Sequence, residues 1–512
     1  MIGEDSEVTG AIVAALTSDG YRVRQVLPGK TVRQLQADRY EADLSSPPAL
    51  QALHRLVVGP EGGAVGAVIN FLGICPGVGG PRGEEGEVAV TTAEWTFHLV
   101  KEFAEDLRAS ASGGGGWFVN LTSLDGQFGL KGDGGTTISR VVAASTLGIT
   151  KTLKREYPHV HVKTIDVEAD IPADLLAARL LEELTVVDDS LEVGLTRQGR
   201  WQLVLKHMPV PRELPPLTLD AESVVLITGG ATGVTAEVAK ALATIAKPRL
   251  ILVGRSTCPE PEAPHTRNLD KTSLRNLFLE NARRTQSRIL PAEIERRVTR
   301  ILKDREIGNN IEACIAAGAT VEYHSLDVRD AQQFGGLIDG LYERFGRIDG
   351  VVHGAGIIED KRILDKTTTS FANVFRTKVD SALTLSQRLR PDSLRFLVFF
   401  GSVSGRFGNV GQVDYSAANE VLNKLAGHLA SRWAARVVCI NWGPWDAGMI
   451  SDELRRLYAS RGIELIAVPD GTRAFLDELR VPSRSAEVVI SSSVEQVLRI
   501  DRQAKQEVSA AW

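Results

Sequence analysis

Three polar residues near the C-terminal end of the chain have side chains that could polarise a carbonyl group and transfer a proton. Ser402 ends the apolar run FLVFFGS, Tyr415 lies thirteen residues later, and Asn419 stands one helical turn after the tyrosine. Hydride reduction of a ketone needs such a pair of hydroxyls, because one donor polarises the carbonyl while the other supplies a proton to the developing alkoxide. The spacing lets a strand end and a helix start present both hydroxyls at one point.

The tyrosine needs a positive charge nearby. A phenol has a pKa of about 10 and is a poor acid unless a cation stabilises its phenolate. The position one helical turn after Tyr415, where a lysine would serve, is Asn419. The spacing around the tyrosine therefore leaves open which cation acts on it.

A glycine-rich segment, TGGATGVT at residues 228–235, lies between a predicted strand and a predicted helix. Its glycines let the backbone turn tightly, so that amides at the helix N-terminus approach a pyrophosphate; this context favours a nucleotide loop over a purely structural turn. After the next strand, Arg255 and Ser256 suit a 2′-phosphate, which favours NADPH over NADH. Asp327 and Val328 are predicted to flank the adenine, although Asp327 could equally cap a helix.

The elements that position these residues alternate short apolar runs with helical segments. Apolar strands buried on both faces and separated by helices are typical of a doubly wound parallel sheet, hence of an α/β fold. The Pro-rich stretch VPRELPPLTLD precedes this pattern and places a domain boundary near residue 216. The predicted strands are 224–227, 250–253, 321–328, 350–353, 396–402 and 436–442.

An insertion at about 257–320 interrupts the pattern. Such a length exceeds what a simple α/β unit needs, and much of it reads as helix. Pro291 suits a first helical position, and an apolar stripe follows it at helical spacing. We expect a structural insertion packed on the sheet; a docking surface for another domain is the alternative. The stripe consists of Ile294, Val298, Ile301 and Leu302.

The first 215 residues contain a degenerate repeat of the later pattern. GAVGAVINFLG at 63–73 parallels GRIDGVVHGAG, SLDGQFG at 123–129 parallels SVSGRFG, and VKTIDV at 162–167 parallels VVCINW. Three matches in the same order indicate a second, degenerate α/β sheet. The copy keeps Ser123 but has GGTTISR in place of the tyrosine segment and lacks a glycine-rich loop. Residues 1–215 are therefore predicted to be a non-catalytic structural domain, and 216–512 the catalytic one.

Bulk composition excludes several classes of function. The 512 residues carry a net charge of −5 with no long basic tract, which argues against nucleic acid as a partner. The four cysteines form no C-x-x-C pair, so neither a zinc site nor a disulfide framework is expected, and a reducing cytoplasm fits. No apolar stretch approaches about 18 residues, so no membrane association is expected.

The motifs TGGxxG, GRS, HSLDV, HGAG, SxSG and YSAAN together resemble the ketoreductase domain of polyketide synthases and polyunsaturated fatty-acid synthases, within the short-chain dehydrogenase/reductases. The likeness spans essentially the whole chain, including a truncated structural half. Ordinary members of that superfamily have the lysine four residues after the tyrosine and an asparagine on the preceding helix. These ketoreductases resemble a swapped version, which implies Lys378 as the missing cation and Asn419 in the lysine's usual place.

The resemblance implies a role for each site residue. Tyr415 gives the proton, Ser402 polarises the ketone, Lys378 stabilises the phenolate and contacts the nicotinamide ribose, and Asn419 orients the lysine and water. Thr235 departs from the pattern, since many relatives have the last loop glycine there. The implied NADPH contacts are Thr228, Gly229, Gly230, Thr232, Gly233, Val234, Arg255, Ser256, Asp327, Val328, Gly354, Ala355, Gly356, Lys378, Tyr415 and Pro444. The implied substrate and stereocontrol residues are Asp360, Phe407, Gln412, Trp445 and Met449.

The implied substrate is a β-ketoacyl chain held as a phosphopantetheine thioester on an acyl carrier protein, with neighbouring synthase domains as further partners. The segment NWGPWDAGM and the helix after it are expected to form a lid. The family's Leu-Asp-Asp marker reads Ile358-Glu359-Asp360 here, and its tryptophan marker reads Phe407, so a D-hydroxyl product is expected. Two alternatives remain: a reductase-inactive or epimerising domain that binds NADPH, and a freestanding dehydrogenase of small alcohols.

Overall fold

Two sheets of mainly parallel strands, one in each half of the chain, form the core of the computed structural model. Within the part of the chain that the structure describes, no helix is both long and apolar enough to cross a membrane. The described residues are 1–59, 65–74, 85–132, 136–186, 188, 190–285, 290–448, 450, 452–460, 462–482, 485–493 and 495.

The N-terminal half alternates helices with short strands. Its elements are α1 (Glu7–Ser18), β1 (Gln25–Pro28), β2 (Arg33–Gln36), β3 (Arg39–Ala42), α2 (Pro47–Val58), β4 (Ala67–Gly73), α3 (Glu85–Ala111), β5 (Trp117–Thr122), α4 (Ile138–Ala143), α5 (Ser145–Glu156), β6 (His161–Val167), α6 (Ala173–Thr185), β7 (Glu192–Leu195) and β8 (Arg200–Gln202). A five-stranded sheet has the order β4-β5-β6-β7-β8, in which only β8 runs antiparallel to its neighbour. The first three strands form a separate small sheet.

The C-terminal half follows a stretch, residues 203–223, without helix or strand, and the predicted boundary near residue 216 falls in it. The division into domains stays a prediction. The elements are β9 (Val224–Thr228), α7 (Gly233–Ala246), β10 (Arg249–Gly254), α8 (Lys271–Arg284), α9 (Pro291–Ala316), β11 (Thr320–Ser325), α10 (Ala331–Phe345), β12 (Gly350–His353), α11 (Thr368–Arg388), β13 (Phe396–Ser402), α12 (Val403–Phe407), α13 (Val413–Ala430), β14 (Arg436–Trp442), α14 (Asp452–Ser460), α15 (Val468–Glu478) and β15 (Glu487–Ile490).

The larger sheet has the order β11-β10-β9-β12-β13-β14-β15, with every neighbouring pair parallel. The chain builds outward from β9 on one side and then from β12 on the other. Ligands of such sheets bind outside the carboxyl ends of the strands where the order reverses. In this protein that crevice lies above β9 and β12.

The predicted fold class, α/β with two parallel-sheet units, is confirmed. Each of the six predicted strands overlaps one of β9 to β14. Five of them have apolar residues buried on both faces, whereas β11 at the edge of the sheet is only partly buried. The strand β15 was not predicted. Its run EVVI is only four residues long and partly exposed, so its apolar signal is weak.

The internal copy is also seen in the sheets. The first and third matches fall on β4 and β6 in one sheet and on β12 and β14 in the other, and the second lies at the carboxyl ends of β5 and β13, the strands between them. Residues 63–64 of the first match, and 134–135 of the segment that replaces the tyrosine region, lie outside the described residues. The copied segments therefore occupy equivalent places in two related sheets.

The insertion forms two helices, α8 and α9, and Pro291 begins α9 as predicted. Ile294 and Val298 of its apolar stripe pack against Leu274 of α8. Further along α9, Ile307 and Cys314 join the core beneath α7 and β10. The insertion therefore packs on the core beside the sheet through the later part of α9, as expected, while α8 covers the apolar stripe.

The two halves pack through α5 and α13. A Cβ built on Gly148 of α5 would lie 2.4 Å from the backbone of Ser416 in α13. No side chain fits at that approach, so the glycine lets the two helices meet backbone to backbone. Since α13 carries Tyr415 and Asn419, the N-terminal half contacts the helix of the candidate site directly.

Candidate active site

The end of β13 and the start of α13 present the two candidate hydroxyls. Ser402 is the last residue of β13 and the N-cap of α12, where its Oγ accepts a hydrogen bond from the Ser404 amide (3.2 Å). Tyr415 lies in the first turn of α13. The Asn419 Nδ2 donates to the backbone oxygen of Tyr415 at 2.8 Å. The amide side chain therefore stabilises the turn that carries the phenol.

Lys378 reaches this point from α11. The residue is 2% exposed, and its Nζ donates to the Phe400 carbonyl at 2.7 Å. The Nζ lies 5.4 Å from the centroid of the Tyr415 ring. A Cβ on Gly356 would lie 3.0 Å from the Lys378 Cε, so that glycine gives the lysine its space. The structure thus brings together the four residues that the sequence motifs selected; their catalytic roles stay predictions.

Burial affects the two titratable members of this group. Burial raises the pKa of Tyr415 to about 12, against the opposing effect of hydrogen bonds from Asn419 and Ser402. Burial lowers the pKa of Lys378 to about 8. The lowered phenol pKa expected from the sequence is not found, because desolvation of the phenolate outweighs the favourable contacts. At neutral pH the phenol keeps its proton and the lysine is mainly charged.

A buried histidine, which sequence reasoning missed, joins the lysine to the glycine-rich loop. His353 ends β12; its Nε2 lies 3.1 Å from the backbone oxygen of Lys378 and its Nδ1 lies 2.8 Å from the Thr228 Oγ1. Burial lowers the pKa of His353 to about 3, so the ring is neutral. Since a carbonyl only accepts, Nε2 donates to it and Nδ1 accepts from Thr228. The signal was present as the histidine of HGAG.

The glycine-rich loop has the geometry of a phosphate cradle. Gly229 and Gly233 have φ of +74° and +59°, and Gly233 begins α7 after the N-cap Thr232. A Cβ on Gly229 would lie 3.1 Å from the Gly354 oxygen. Thr235, which stands where many relatives have a glycine, is buried. A Cβ on Gly354 would lie only 2.4 Å from the Thr235 Oγ1. These close contacts join the loop to the end of β12, and a tight turn of this kind can bring the amides of a helix N-terminus to a pyrophosphate.

Two residues of the insertion contact this loop, and neither was predicted. The Glu306 Oε1 accepts a hydrogen bond from the Gly233 amide at 2.8 Å. The Asn310 Nδ2 donates to the Ala231 carbonyl at 3.0 Å. Helix α9 is therefore part of the cradle, and a carboxylate lies at the first amide of α7. Gly230 and Val234 complete the predicted loop residues; a Cβ on Gly230 would meet Ile227 at 2.7 Å.

The residues predicted to contact the adenosine end of the cofactor follow β10 and β11. Arg255 is exposed, and among the described residues its guanidinium has no ion-pair partner. Asp327 pairs with Arg329 at 2.7 Å, and that hydrogen bond lowers the pKa of Asp327. The capping alternative for Asp327 is wrong, because Asp330 N-caps α10. Val328 is buried in the core.

A cavity of about 520 Å³ opens between this end and α9. It begins beside Ser256, whose backbone oxygen accepts from the Tyr323 hydroxyl at 2.8 Å. The α9 residues at its wall include three cations and two carboxylates. The lining residues are Ser256, Thr257, Glu295, Arg296, Thr299, Arg300, Lys303 and Asp304.

The predicted substrate side contains one tight polar contact. The Gln412 Nε2 donates to both oxygens of Asp360, at 3.1 and 3.2 Å, and its Oε1 accepts from the Ser404 hydroxyl at 2.7 Å. Burial raises the pKa of Asp360. Phe407 ends α12 and is 6% exposed. Asp360 is thus held by a side chain three residues before Tyr415, while Phe407 packs in the interior.

The segment predicted to begin a lid, NWGPWDAGM, starts with residues that are mostly buried. Trp445 is 4% exposed and packs at 4.9 Å against Trp442, and its ring fills the space above Gly471 of α15. The Pro444 carbonyl accepts from the Ile466 amide at 2.8 Å. The Trp445 ring is thus a core contact here, apart from the four-residue group. Met449 lies outside the described residues; the amphipathic helix after it is α14.

Residues 223–447 match the model of the KR domain family. These residues, fewer than half of the chain, are therefore similar to the KR domain family. The match starts one residue before β9 and includes the glycine-rich loop, Lys378, Ser402, Tyr415 and Asn419. The family expected from the sequence motifs is confirmed.

Similar proteins extend the likeness to the N-terminal half. One component of the polyunsaturated fatty acid synthase of Thraustochytrium sp. is 25% identical over 497 residues, which cover 95% of this chain and 17% of the relative. A solved N-terminal ketoreductase from the macrolactin assembly line has a TM-score of 0.73 at 19% identity, covering 98% of this chain and 88% of that one. The first ketoreductase of the tylosin polyketide synthase has a TM-score of 0.69 at 20% identity, with 99% and 92% covered. The structural likeness therefore spans both sheets.

Proposed function

We propose that this KR domain reduces a β-ketoacyl thioester on an acyl carrier protein to the β-hydroxyacyl thioester, using NADPH, within a polyketide or fatty-acid synthase. The observation that carries the proposal is the convergence of Lys378, Ser402, Tyr415 and Asn419 beside the glycine-rich loop. Its relatives are parts of large synthases, of which the chain spans only 17% in the first case. Neighbouring synthase domains and the carrier protein are partners by the same proposal.

NADPH, when bound, supplies the hydride. Ser402 at the end of β13 donates a hydrogen bond to the ketone oxygen, which draws charge onto that oxygen. Tyr415 keeps its proton because burial raises its pKa to about 12, and it gives the proton to the alkoxide as that more basic group forms. The Lys378 ammonium, 5.4 Å from the ring, then stabilises the phenolate. Asn419 holds the first turn of α13 in place through its bond to the Tyr415 carbonyl.

Residues of this chain also account for the choice of NADPH. The exposed Arg255 and the neighbouring Ser256 offer a guanidinium and a hydroxyl to a 2′-phosphate. The positive φ of Gly229 and Gly233 and the close packing of Gly354 on Thr235 give the loop the tight turn expected of a pyrophosphate site. The D-hydroxyl product remains a hypothesis from Asp360 and Phe407.

The test follows the absorbance of NADPH with a β-ketoacyl N-acetylcysteamine thioester as substrate. We expect reduction by the wild type, and a loss of about 10²- to 10⁴-fold in Tyr415→Phe because the proton donor is gone. Lys378→Ala should also lose activity, with NADPH binding retained in Tyr415→Phe. A wild type that binds NADPH but does not reduce the thioester would favour the reductase-inactive or epimerising alternative. Equal turnover of small alcohols would favour a freestanding dehydrogenase.

A further inference from the structure

A carboxylate from the N-terminal half reaches two loops on the substrate side of the site. Glu156 is the last residue of α5. Its Oε2 accepts a hydrogen bond from the Ile363 amide at 2.9 Å, and its Oε1 accepts one from the Gly411 amide at 2.8 Å. Ile363 lies in the loop between β12 and α11, and Gly411 lies in the loop between α12 and α13. One side chain therefore joins two loops far apart in sequence.

These two loops carry two of the residues expected to act on the substrate side. The loop after β12 carries Asp360, and the loop before α13 carries Gln412, whose side chains bond at 3.1 Å. The backbone also connects them, because the Lys361 amide donates to the Gly411 carbonyl at 2.9 Å. Three contacts of different kinds thus set the distance between the loops, and Glu156 supplies the one that comes from outside them.

The contact requires a carboxylate of this length. Each of its two oxygens accepts one backbone N–H, and a carboxylate is the side chain with two acceptors and no donor. A glutamine would keep one oxygen but turn an NH₂ group toward the other amide. An aspartate keeps both acceptors but is shorter by one methylene. The group is half-buried and burial raises its pKa, while the two amides favour its charged form.

We propose that Glu156 is a positioning residue that sets the geometry of the two substrate-side loops and thereby selects which face of the ketone meets the hydride. The inference rests on the proposed reduction. It gives the N-terminal half, predicted to be non-catalytic, a part in the configuration of the product. Its support is geometric: Asp360 and Gln412, which are expected to act on the substrate, bond to each other, and the loops that carry them are joined by a residue of the other half.

The test compares Glu156→Gln and Glu156→Asp with the wild type on a β-ketoacyl N-acetylcysteamine thioester. Chiral chromatography gives the share of the minor hydroxyl enantiomer, and initial rates give kcat and KM. Loss of one charge-assisted hydrogen bond should raise the minor share about fivefold in Glu156→Gln. KM should rise more than kcat falls, since the tetrad itself is unchanged. Glu156→Asp should show a smaller shift in the same direction.

The control is Glu182→Gln, which removes an exposed carboxylate from α6 of the same half. It should leave the enantiomer ratio and both kinetic constants at wild-type values. Hydrogen exchange of peptides spanning 357–366 and 408–414 supplies a second readout, with faster exchange expected in both Glu156 variants. If Glu156→Gln does not fold, Glu156→Asp carries the test.

The outcomes separate the inference from the function on which it rests. A wild type that does not reduce the thioester overturns both. A wild type that reduces it, together with folded Glu156 variants whose enantiomer ratio and KM are unchanged, overturns only the inference. A lower unfolding temperature without a change in product configuration would mean that Glu156 acts on stability alone.

Discussion

Burial favours the neutral form of both Tyr415 and Lys378. The phenol has a pKa of about 12 and remains protonated, as a proton donor must be before the alkoxide forms. The lysine, with a pKa of about 8, is close to losing its charge at mildly alkaline pH. The stabilisation that Lys378 gives to the phenolate is therefore the first part of the proposed mechanism to fail as pH rises.

The pH dependence of kcat tests this point. In the wild type, kcat should fall as pH rises through about 8, because the Lys378 ammonium loses its proton. Lys378→Met should be slow and should lack that alkaline decline. The exposed Lys271→Met, at the start of α8, should keep the wild-type profile. A decline of the same shape in Lys378→Met would assign the ionisation to another group.

The free energy of unfolding should rise with pH as Lys378 loses its proton, whereas kcat should fall. The pKa of Lys378 falls from 10.5 in the unfolded chain to about 8 in the fold. Between these values the unfolded chain binds a proton that the folded one does not, so rising pH favours the folded state. Denaturant midpoints from pH 8 to 10 should therefore rise in the wild type relative to Lys378→Met.

At the scale of elements, helix α9 of the insertion contacts the glycine-rich loop. The N-terminus of a helix favours anions, because its first amides have no partner within the helix. Here the Glu306 carboxylate occupies the Gly233 amide at the start of α7. A pyrophosphate at this loop must share or displace that contact, and the two negative groups repel each other.

Glu306→Gln should therefore bind NADPH more tightly. The neutral amide removes the repulsion, and we expect the Kd to fall about three- to tenfold, as suits a charge effect at a helix N-terminus. Isothermal titration calorimetry without substrate measures this directly. Glu312→Gln, an exposed glutamate further along α9, serves as the control. A Kd that stays equal or rises in Glu306→Gln would show that the carboxylate does not oppose the cofactor.

At the scale of the whole molecule, a buried cluster of charges joins the two halves behind α13. The Lys151 Nζ of α5 lies 2.9 Å from Glu192 of β7 and 3.2 Å from Glu420 of α13. Burial acts to raise the pKa of Glu420, yet Lys151 and the other nearby cations hold it at about 2. Glu420 follows Asn419 directly, so the cluster adjoins the candidate site. Its members are Lys151, Glu192, Arg406, Glu420, Lys424 and Glu487.

Lys151→Met should destabilise the whole chain. Removing one partner of a buried ion pair leaves carboxylates without their counter-charge and typically costs about 3–5 kcal/mol. The free energy of unfolding in urea measures the loss. The exposed Lys206→Met should change it by less than about 0.5 kcal/mol. A Lys151 variant as stable as this control would mean that the cluster does not hold the halves together.

The extent of prediction differed between fold and site. Strands β9 to β14 overlap the predicted strands, whereas β15, whose four residues are all partly exposed, was missed. The resemblance to the family paired Lys378 with Tyr415 although they are far apart in the sequence. The structure places the lysine Nζ 5.4 Å from the centroid of the Tyr415 ring. Glu306 and Glu156 were missed, because they bond to backbone groups that have no signature in the sequence, whereas His353 was missed although it stands in the motif HGAG.

The sequence by itself determined the α/β class, the internal copy, the glycine-rich loop and the four residues of the proposed tetrad. Each of these leaves a local trace: an apolar period, a glycine spacing or a motif. Only the tertiary structure decided that α9 contacts the loop, that α5 packs on α13, and that Glu156 joins two substrate-side loops. Those contacts depend on how elements pack across the two halves, and burial, which shifts the pKa values of Tyr415 and Lys378, exists only once they have packed.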